Sequence, residues 1–414
     1  MPHLSPATVA NDAESDSALR GHGLAAAVLT PGALIRLLLG WISVGAVTLA
    51  GPLLAAPLPS PLLALVLAAI VVVIVVAAGG VVHQAEALAR RLDDPYGTLV
   101  LTLSIVVIEV VLIAAVMLGP GEHAVIARDS VMAVSMIIMN LALGLCLLVG
   151  GLRQRSLAVH RVGTSAYLVM LTALSALAVA LPTTIGESGS YDPVQAVVVG
   201  GLTVALYAFF LWRQMGAQAG EFQEVEHPVG SAGTSDPAPG ADPAATTRQS
   251  AGNRPALRGI LSVHRAELLA RAALLIATVL PIVLLSHEMA GLLDDGLARL
   301  GAPVALGGVL IAMIVFTPES ITAVRAALSG EMQRVVNLCH GALVSTLSLT
   351  IPTVLVIGLV TGTEVVLAES PTNLLLLGVT LAVAAISASA PRITAVHGAV
   401  HLLLFGVYAL MLFS

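Results

Sequence analysis

Long apolar stretches alternate with short polar connections along the whole chain, and their length decides the fold class. About 20 apolar residues match the thickness of a bilayer core, and stretches of that kind fall near 33–56, 61–82, 97–118, 128–151, 162–181, 194–212, 266–286, 303–325, 334–361, 372–390 and 393–413. The pattern predicts an all-α membrane protein with about eleven transmembrane helices. The period-two alternation of a membrane β-barrel is absent, so the backbone must close its hydrogen bonds within helices. Residues 1–32 are polar and irregular, with Asp12, Glu14 and Asp16 and without the short apolar core and small-residue cleavage site of a signal peptide. They are expected to form a cytoplasmic tail, and the first apolar run to stay attached as a membrane helix. Residues 216–256 turn to Gly, Ala, Pro, Ser and Thr, as in the run from Gly230 to Gly240, and are expected to be a disordered cytoplasmic linker.

The linker divides the chain into a leading helix at 33–56, a first five-helix repeat over 57–215 and a second over 257–414. The two groups of five resemble each other weakly. In each, the second helix carries one buried glutamate, in Ile-Val-Val-Ile-Glu109 and in Val-Phe-Thr-Pro-Glu319, and a long helix ending at Gly151 or Gly358 follows. Arg90 and Arg91, Arg153 to Arg161, Arg213 to Arg265, Arg325 with Arg334, and Arg392 fall on alternate connections, with Arg128 and Arg299 on the other side. The positive-inside rule then puts the N-terminus in the cytoplasm and Ser414 outside. On that topology the helices bearing Glu109 and Glu319 run in opposite directions. Inverted repeats of this kind build midplane substrate sites in secondary transporters.

Composition narrows the function further. Hydrophobic residues make up 57% of the chain and charged ones 10%, with a mean hydropathy of +0.99, far outside the range of soluble domains. All 18 basic residues are arginine, set against 24 acidic ones, so no basic surface serves nucleic acid and no nucleic-acid partner is expected. Cys146 and Cys339 lie in apolar runs and offer neither a disulfide framework nor a metal cluster. No Walker-type loop is present, so energy for transport has to come from an ion gradient. No cofactor is expected beyond the transported ions, and the partners are the bilayer, inorganic cations and protons. The sequence leaves the oligomeric state open.

A carboxylate at the centre of a membrane helix costs about 3 kcal/mol and by default faces the bundle interior or water. Desolvation raises its pKa until a cation stabilises the ionised form, so Glu109 and Glu319 are candidates for a site where protons and cations compete. Two such groups suit one divalent cation. Further oxygens are at hand. Pro318 has no N–H for the carbonyl of Ile314, and Pro352 none for that of Ser348. Thr317, Ser345 and Ser348 in the second repeat, and Thr102 and Asn140 in the first, are candidate supporting ligands, with hydrogen-bonded glue between helices as the plainer role for each.

The histidines divide differently. His397 and His401 stand at i and i+4, the spacing of a zinc-binding helix, but Gly398 occupies the place of a metalloprotease general base. They are expected to pack or to respond to pH, with an intramembrane metallohydrolase as the less favoured alternative. His340 is a candidate modulator of pH response. His83 and Glu86, with Arg90 a turn on, form either a surface pair or a cytoplasmic access site for cations. A passive cation channel is the other alternative, although two carboxylates on one chain lack the symmetric ring of a channel filter.

The run Ala-Arg-Arg91-Leu-Asp-Asp-Pro-Tyr-Gly97 leading to Val-Ile-Glu109-Val, then Ala-Arg128-Asp-Ser, Gly-Leu-Cys-Leu-Leu-Val-Gly-Gly151, Ala-Pro303-Val-Ala, Thr-Pro-Glu319 and Arg334-Val-Val-Asn-Leu together resemble the ChaA-type bacterial sodium/calcium–proton antiporters of the calcium/cation antiporter superfamily. The resemblance runs from about residue 80 to the end, apart from the linker. It implies a bacterial inner-membrane protein with eleven helices, two inverted five-helix halves and a glutamate on the second helix of each, at Glu109 and Glu319. It also implies export of cytoplasmic Ca²⁺, Na⁺ or K⁺ driven by proton uptake. The wider calcium/proton exchangers carry Gly-Asn ahead of each glutamate, where this chain has Ile105-Val106 and Val315-Phe316, and Ser345 stands where a Gln is common.

Overall fold

In lipid every backbone N–H and C=O has to be satisfied within the protein, and helix accounts for nearly all of the described chain. The computed structural model describes residues 29–54, 58–92, 124–153, 159–216, 218–223, 257–303, 305–390 and 392–413, with isolated positions between 106 and 117. The N-terminal tail up to residue 28, the expected linker from 224 onward, and both Thr102 and Glu109 lie outside these residues.

In chain order, α1 spans Pro31–Leu54 and α2 Ser60–Leu92. Helix α3 runs Ile126–Met136, passes through a π-helical turn at Ile137–Ala142 and finishes as Leu143–Arg153. Helix α4 repeats that design, with Arg161–Ser175, a π-helical turn at Ala176–Ala180 and a last turn at Pro182–Ile185. Then come α5 at Pro193–Met215, α6 at Leu257–Arg299, α7 at Ala305–Ser329, α8 at Met332–Thr361, α9 at Pro371–Ser389 and α10 at Ala395–Met411. Among the described residues eight helices are long and apolar enough to cross a bilayer, nine if the bent α7 counts as one span, and α10 is a shorter apolar helix.

These helices sit on the apolar runs read from the sequence, and several overrun the ends of those runs, most of all α6. Its 43 residues extend about 65 Å at 1.5 Å per residue, roughly twice a bilayer core, around an expected span of 266–286. Apolar runs mark what lipid covers, whereas a helix continues until its caps end it. Local caps fix several ends. Asp192 accepts hydrogen bonds from the N–H groups of Val194 and Gln195, both at 2.8 Å, just ahead of Pro193 at the first position of α5. Ser370 does the same for Asn373 at the start of α9. Gly362, at φ +72°, closes α8 in the left-handed conformation that glycine adopts without strain.

Two helices form the centre. Of the most apolar stretch of α3, 83% is buried inside the protein, and of α8, 61%, against 11% for α1. Helix α8 packs on α4, α5 and α7, while α10 lies along α3 and α9 bridges α4 and α10. Helices α2 and α6 pair lengthwise through Ile74, Val81, Ile282, Leu285 and Met289, with α1 against both. Close approach of α10 to α3 depends on Gly398, where a Cβ would collide with the backbone of Leu148 and Gly144, and on Gly144, where one would stand 2.9 Å from His401 Cβ. At one end of the bundle the 363–370 connection is stitched in by backbone bonds. The N–H of Val366 donates to Ala124, those of Leu367 and Ala368 to Gly189, and that of Glu369 to Val179 in the second π-turn.

Candidate functional site

Helix α7 is bent by 57° between Leu306–Ile314 and Glu319–Ser329. Pro318 explains the position of the bend, because it cannot donate to the carbonyl of Ile314. Glu319 begins the segment after the break and is only 5% exposed. Its helix is enclosed by α2, α3, α6 and α8, so a titratable carboxyl sits beside backbone that the bend has opened. Thr317, just before it, is half-buried and donates its hydroxyl to its own helix at Met313 O, 2.7 Å away. The side chain of Pro318 lies outside the described residues.

On the neighbouring α8 the polar residues divide into two groups. Ser345 is committed, with its hydroxyl 2.8 Å from Tyr207 Oη of α5. Ser348, one turn further, is fully buried, and its Oγ has no hydrogen-bond partner among the described residues; Thr350 is in the same condition. Pro352 also leaves the Ser348 carbonyl without its helical donor. Buried polar atoms cost free energy unless something satisfies them, so Ser348 offers two oxygens on a helix packed against that of Glu319.

Asn140 lies in the π-turn of α3 and is 0% exposed. Its amide nitrogen donates to Thr380 Oγ1 of α9 at 2.8 Å and contacts Met136 Sδ at 3.3 Å, while its oxygen lies 3.0 Å from His401 Nδ1 of α10. The sequence marks Asn140 and Ser345 as candidate cation ligands; the structure shows both already holding helices together. His401 is as buried as Asn140. His397, one turn before it, serves instead in the cap of α10, where its Nδ1 lies 3.1 Å from Thr394 N. His340 is buried in α8, with Nδ1 3.2 Å from Val336 O of its own helix and its ring against Tyr167. His83 is exposed and Glu86 half-buried near the end of α2, away from these groups in sequence and with the Arg90 side chain outside the described residues.

Sequence reasoning did not pick out Tyr207, Thr380 or Glu369. The signal available for Thr380 was a lone hydroxyl within an apolar helix, and for Tyr207 one of only five tyrosines in the chain. Glu369 stands just ahead of α9, 6% exposed, and accepts hydrogen bonds from Ser370 N and Asn373 Nδ2, both at 2.9 Å. Its other oxygen is 4.0 Å from Arg128 Nε, and Arg128 also pairs with Asp129 at 2.9 Å. Burial pushes the Glu369 carboxyl above its ordinary range, against the opposing pull of those hydrogen bonds and of Arg128. A groove of about 790 Å³ between α4 and α9, lined by Leu168, Val169, Thr172 and Leu381 among others, includes neither Glu319 nor Ser348.

Comparison with known proteins identifies the family and the fold. The model of the family described as sodium/calcium exchanger protein matches residues 62–216 and 271–414. The chain is 34% identical over 333 residues to a Sinorhizobium fredii protein named as an ionic transporter, y4hA, covering 80% of this chain and 83% of that one. It is 30% identical over 338 residues to the sodium-potassium/proton antiporter ChaA of Escherichia coli, covering 82% and 86%. Among solved structures, native YfkE superposes with a TM-score of 0.64 over 90% of this chain and 99% of that one. At 15% identity that likeness is one of fold.

Proposed function

This chain belongs to the sodium/calcium exchanger protein family, and from that premise we propose that it is a cation/proton antiporter whose two intramembrane glutamates, Glu109 and Glu319, alternate between cation and proton. The protein is a multi-pass membrane transporter for secondary active cation transport, and the relatives it matches are transport proteins rather than enzymes. The observation that carries this proposal is Glu319, buried at the break of α7 beside a helix on which the Ser348 hydroxyl has no partner among the described residues.

The cargo is Ca²⁺, Na⁺ or K⁺, and each chemical step follows from desolvation. An ionised carboxylate in a dry bundle is costly until a cation or a proton neutralises it. The same carboxylates therefore take either occupant, and the loaded, neutralised site is the one that crosses. Ser348 supplies a hydroxyl and a carbonyl, the bend in α7 supplies the carbonyl of Ile314, and hard cations favour such oxygens. An empty, doubly charged site stays where it is, which couples inward proton movement to outward cation movement.

Architecture supports the same reading. Counting α10 and the span expected at 97–118 with the nine described above gives eleven helices, one leading and two sets of five. Reciprocal packing is what two inverted halves would produce: α8 of the second set lies on α5 of the first, and α3 of the first lies along α10 of the second. The N-terminus is then cytoplasmic and the C-terminus outside, in a bacterial inner membrane.

The test is proton flux in acidified everted membrane vesicles on addition of Ca²⁺, Na⁺ or K⁺ singly, for wild type, Glu109→Gln and Glu319→Gln at matched protein levels. Lumenal alkalinisation on cation addition, lost in both variants, is the expected result. Absence of a response to all three ions in well-expressed wild type overturns the assignment.

A further inference from the structure

The two central helices are each tied by one buried polar contact to the last helix of the opposite half. Helix α8 is held to α5 by Tyr207 Oη and Ser345 Oγ at 2.8 Å, between residues that are 5% and 4% exposed. Helix α3 is held to α10 by His401 Nδ1 and Asn140 Oδ1 at 3.0 Å, both residues fully buried. Neither tie includes a charged group, and neither lies within one helix or one half.

Donor bookkeeping fixes the polarity of the second tie. Thr380 spends its hydroxyl proton on Leu376 O at 2.9 Å, so its Oγ1 accepts from the Asn140 amide nitrogen. The Asn140 oxygen is left for His401, whose Nδ1 must then carry the proton. The network therefore assigns His401 as the neutral Nδ1–H tautomer, and Nε2, buried without a partner among the described residues, takes no part in it. What the network needs from His401 is one donor at the Nδ1 position.

Each tie acts on a helix whose rotation decides where site oxygens point. Ser345 is three residues from Ser348, nearly a full turn of α8, so the bond to Tyr207 bears on the rotational phase of Ser348 on a helix that packs against α7. Asn140 lies within the π-turn, where one extra residue per turn lets the two ends of α3 rotate relative to each other. Helix α3 packs on α7 as well as on α10, so the phase of α3 also bears on the surroundings of Glu319. We propose that Tyr207 and His401 are positioning residues for cation binding, each clamping from the opposite half a helix that builds the site. This rests on the antiporter reading above.

The experiment measures proton flux from reconstituted vesicles against Ca²⁺, Na⁺ and K⁺ concentration, with wild type as the control for the antiporter reading itself. Tyr207→Phe and His401→Leu are expected to raise the half-saturating cation concentration about five- to tenfold, the size of one net hydrogen bond, with the maximal rate within about twofold. His401→Asn, whose amide nitrogen takes the place of Nδ1, should restore wild-type affinity, whereas His401→Gln, which reaches the place of Nε2, should not. Tyr207→Phe with Ser345→Ala should cost no more than either alone, because both remove the same bond. If His401→Leu does not accumulate in the membrane, the comparison of the Asn and Gln variants decides, and equal behaviour of those two overturns the proposal. Wild-type half-saturation in Tyr207→Phe also overturns it, as does a fall in maximal rate alone. Absence of flux in wild type fails the antiporter reading first and takes the positioning roles with it.

Discussion

Helices α3 and α8 occupy corresponding places at the centre of the bundle, yet they differ in how fully their buried polar groups are used. In α3 the amide of Asn140 is used completely, its nitrogen on Thr380 and its oxygen on His401. In α8 Asn337, His340 and Ser345 have partners, while Ser348 and Thr350 keep hydroxyls without partners among the described residues. A satisfied polar group adds rigidity and a fixed register. An unsatisfied one costs stability for as long as nothing fills the site. Burial alone does not distinguish the bound groups from the unsatisfied ones, since all of these residues are nearly inaccessible.

The largest effect expected belongs to Glu319. Glu319→Gln keeps the shape and removes the charge that a cation needs, so cation-driven proton flux should fall to the background of vesicles lacking the protein, with membrane accumulation unchanged. Retention of even a tenth of wild-type flux would move the carboxylate out of the transport step. Ser348→Ala comes next and bears directly on the contrast between the helices. As a ligand, its loss should raise the half-saturating cation concentration about tenfold, or ~1.4 kcal/mol. Thermal stability without cation should hold or rise, because the variant removes a buried hydroxyl that has no partner among the described residues. Weaker binding together with a lower melting temperature would instead mark Ser348 as structural.

Asn140→Ala tests the other helix and should give the reverse signature. It strands the Nδ1–H of His401 and removes the donor to Thr380, at a cost of about 1–3 kcal/mol in stability. The readout is thermal unfolding in detergent without added cation, where Asn140→Ala should melt below both wild type and Ser348→Ala. An unchanged melting temperature would show that the three-helix network contributes nothing net.

How much of this was legible in the chain depends on distance along it. The apolar runs placed the helices, because lipid imposes a local requirement on every span, and Glu319 with Pro318 stood out because a charge and a helix breaker are conspicuous in such a run. Pro352, four residues on, marked the carbonyl of Ser348 as lacking its helical donor. The roles of Asn140 and Ser345 were not, since their partners lie 261 and 138 residues away and no local pattern marks such pairs. Neither π-turn has a sequence signature, and both fall in apolar stretches that read as ordinary helix. His397 and His401 share a helical face by spacing, but the turn between them takes one into the cap and the other into the core.

The smallest effect expected lies at the end of the bundle where α3 begins and α9 starts, and it depends on pH. Burial holds the Glu369 carboxyl above its ordinary 4.5, so folding favours its protonated form. The stabilising contribution of that proton is complete below pH 4.5 and is lost as pH rises through the folded value. Above it, wild type carries a buried charge that Arg128, shared with Asp129, offsets only in part. Glu369→Gln keeps an acceptor for Ser370 N and Asn373 and cannot ionise. Its melting temperature relative to wild type should therefore climb as pH rises from 4.5 through the folded value and level off above it, by about 2–4 °C in all. A difference that stays flat across the range would mean that Arg128 balances the charge fully. A difference that falls with pH would mean that the Arg128 pair outweighs desolvation, making this end of α3 a charged clamp, unlike the neutral tie to His401 further along the same helix.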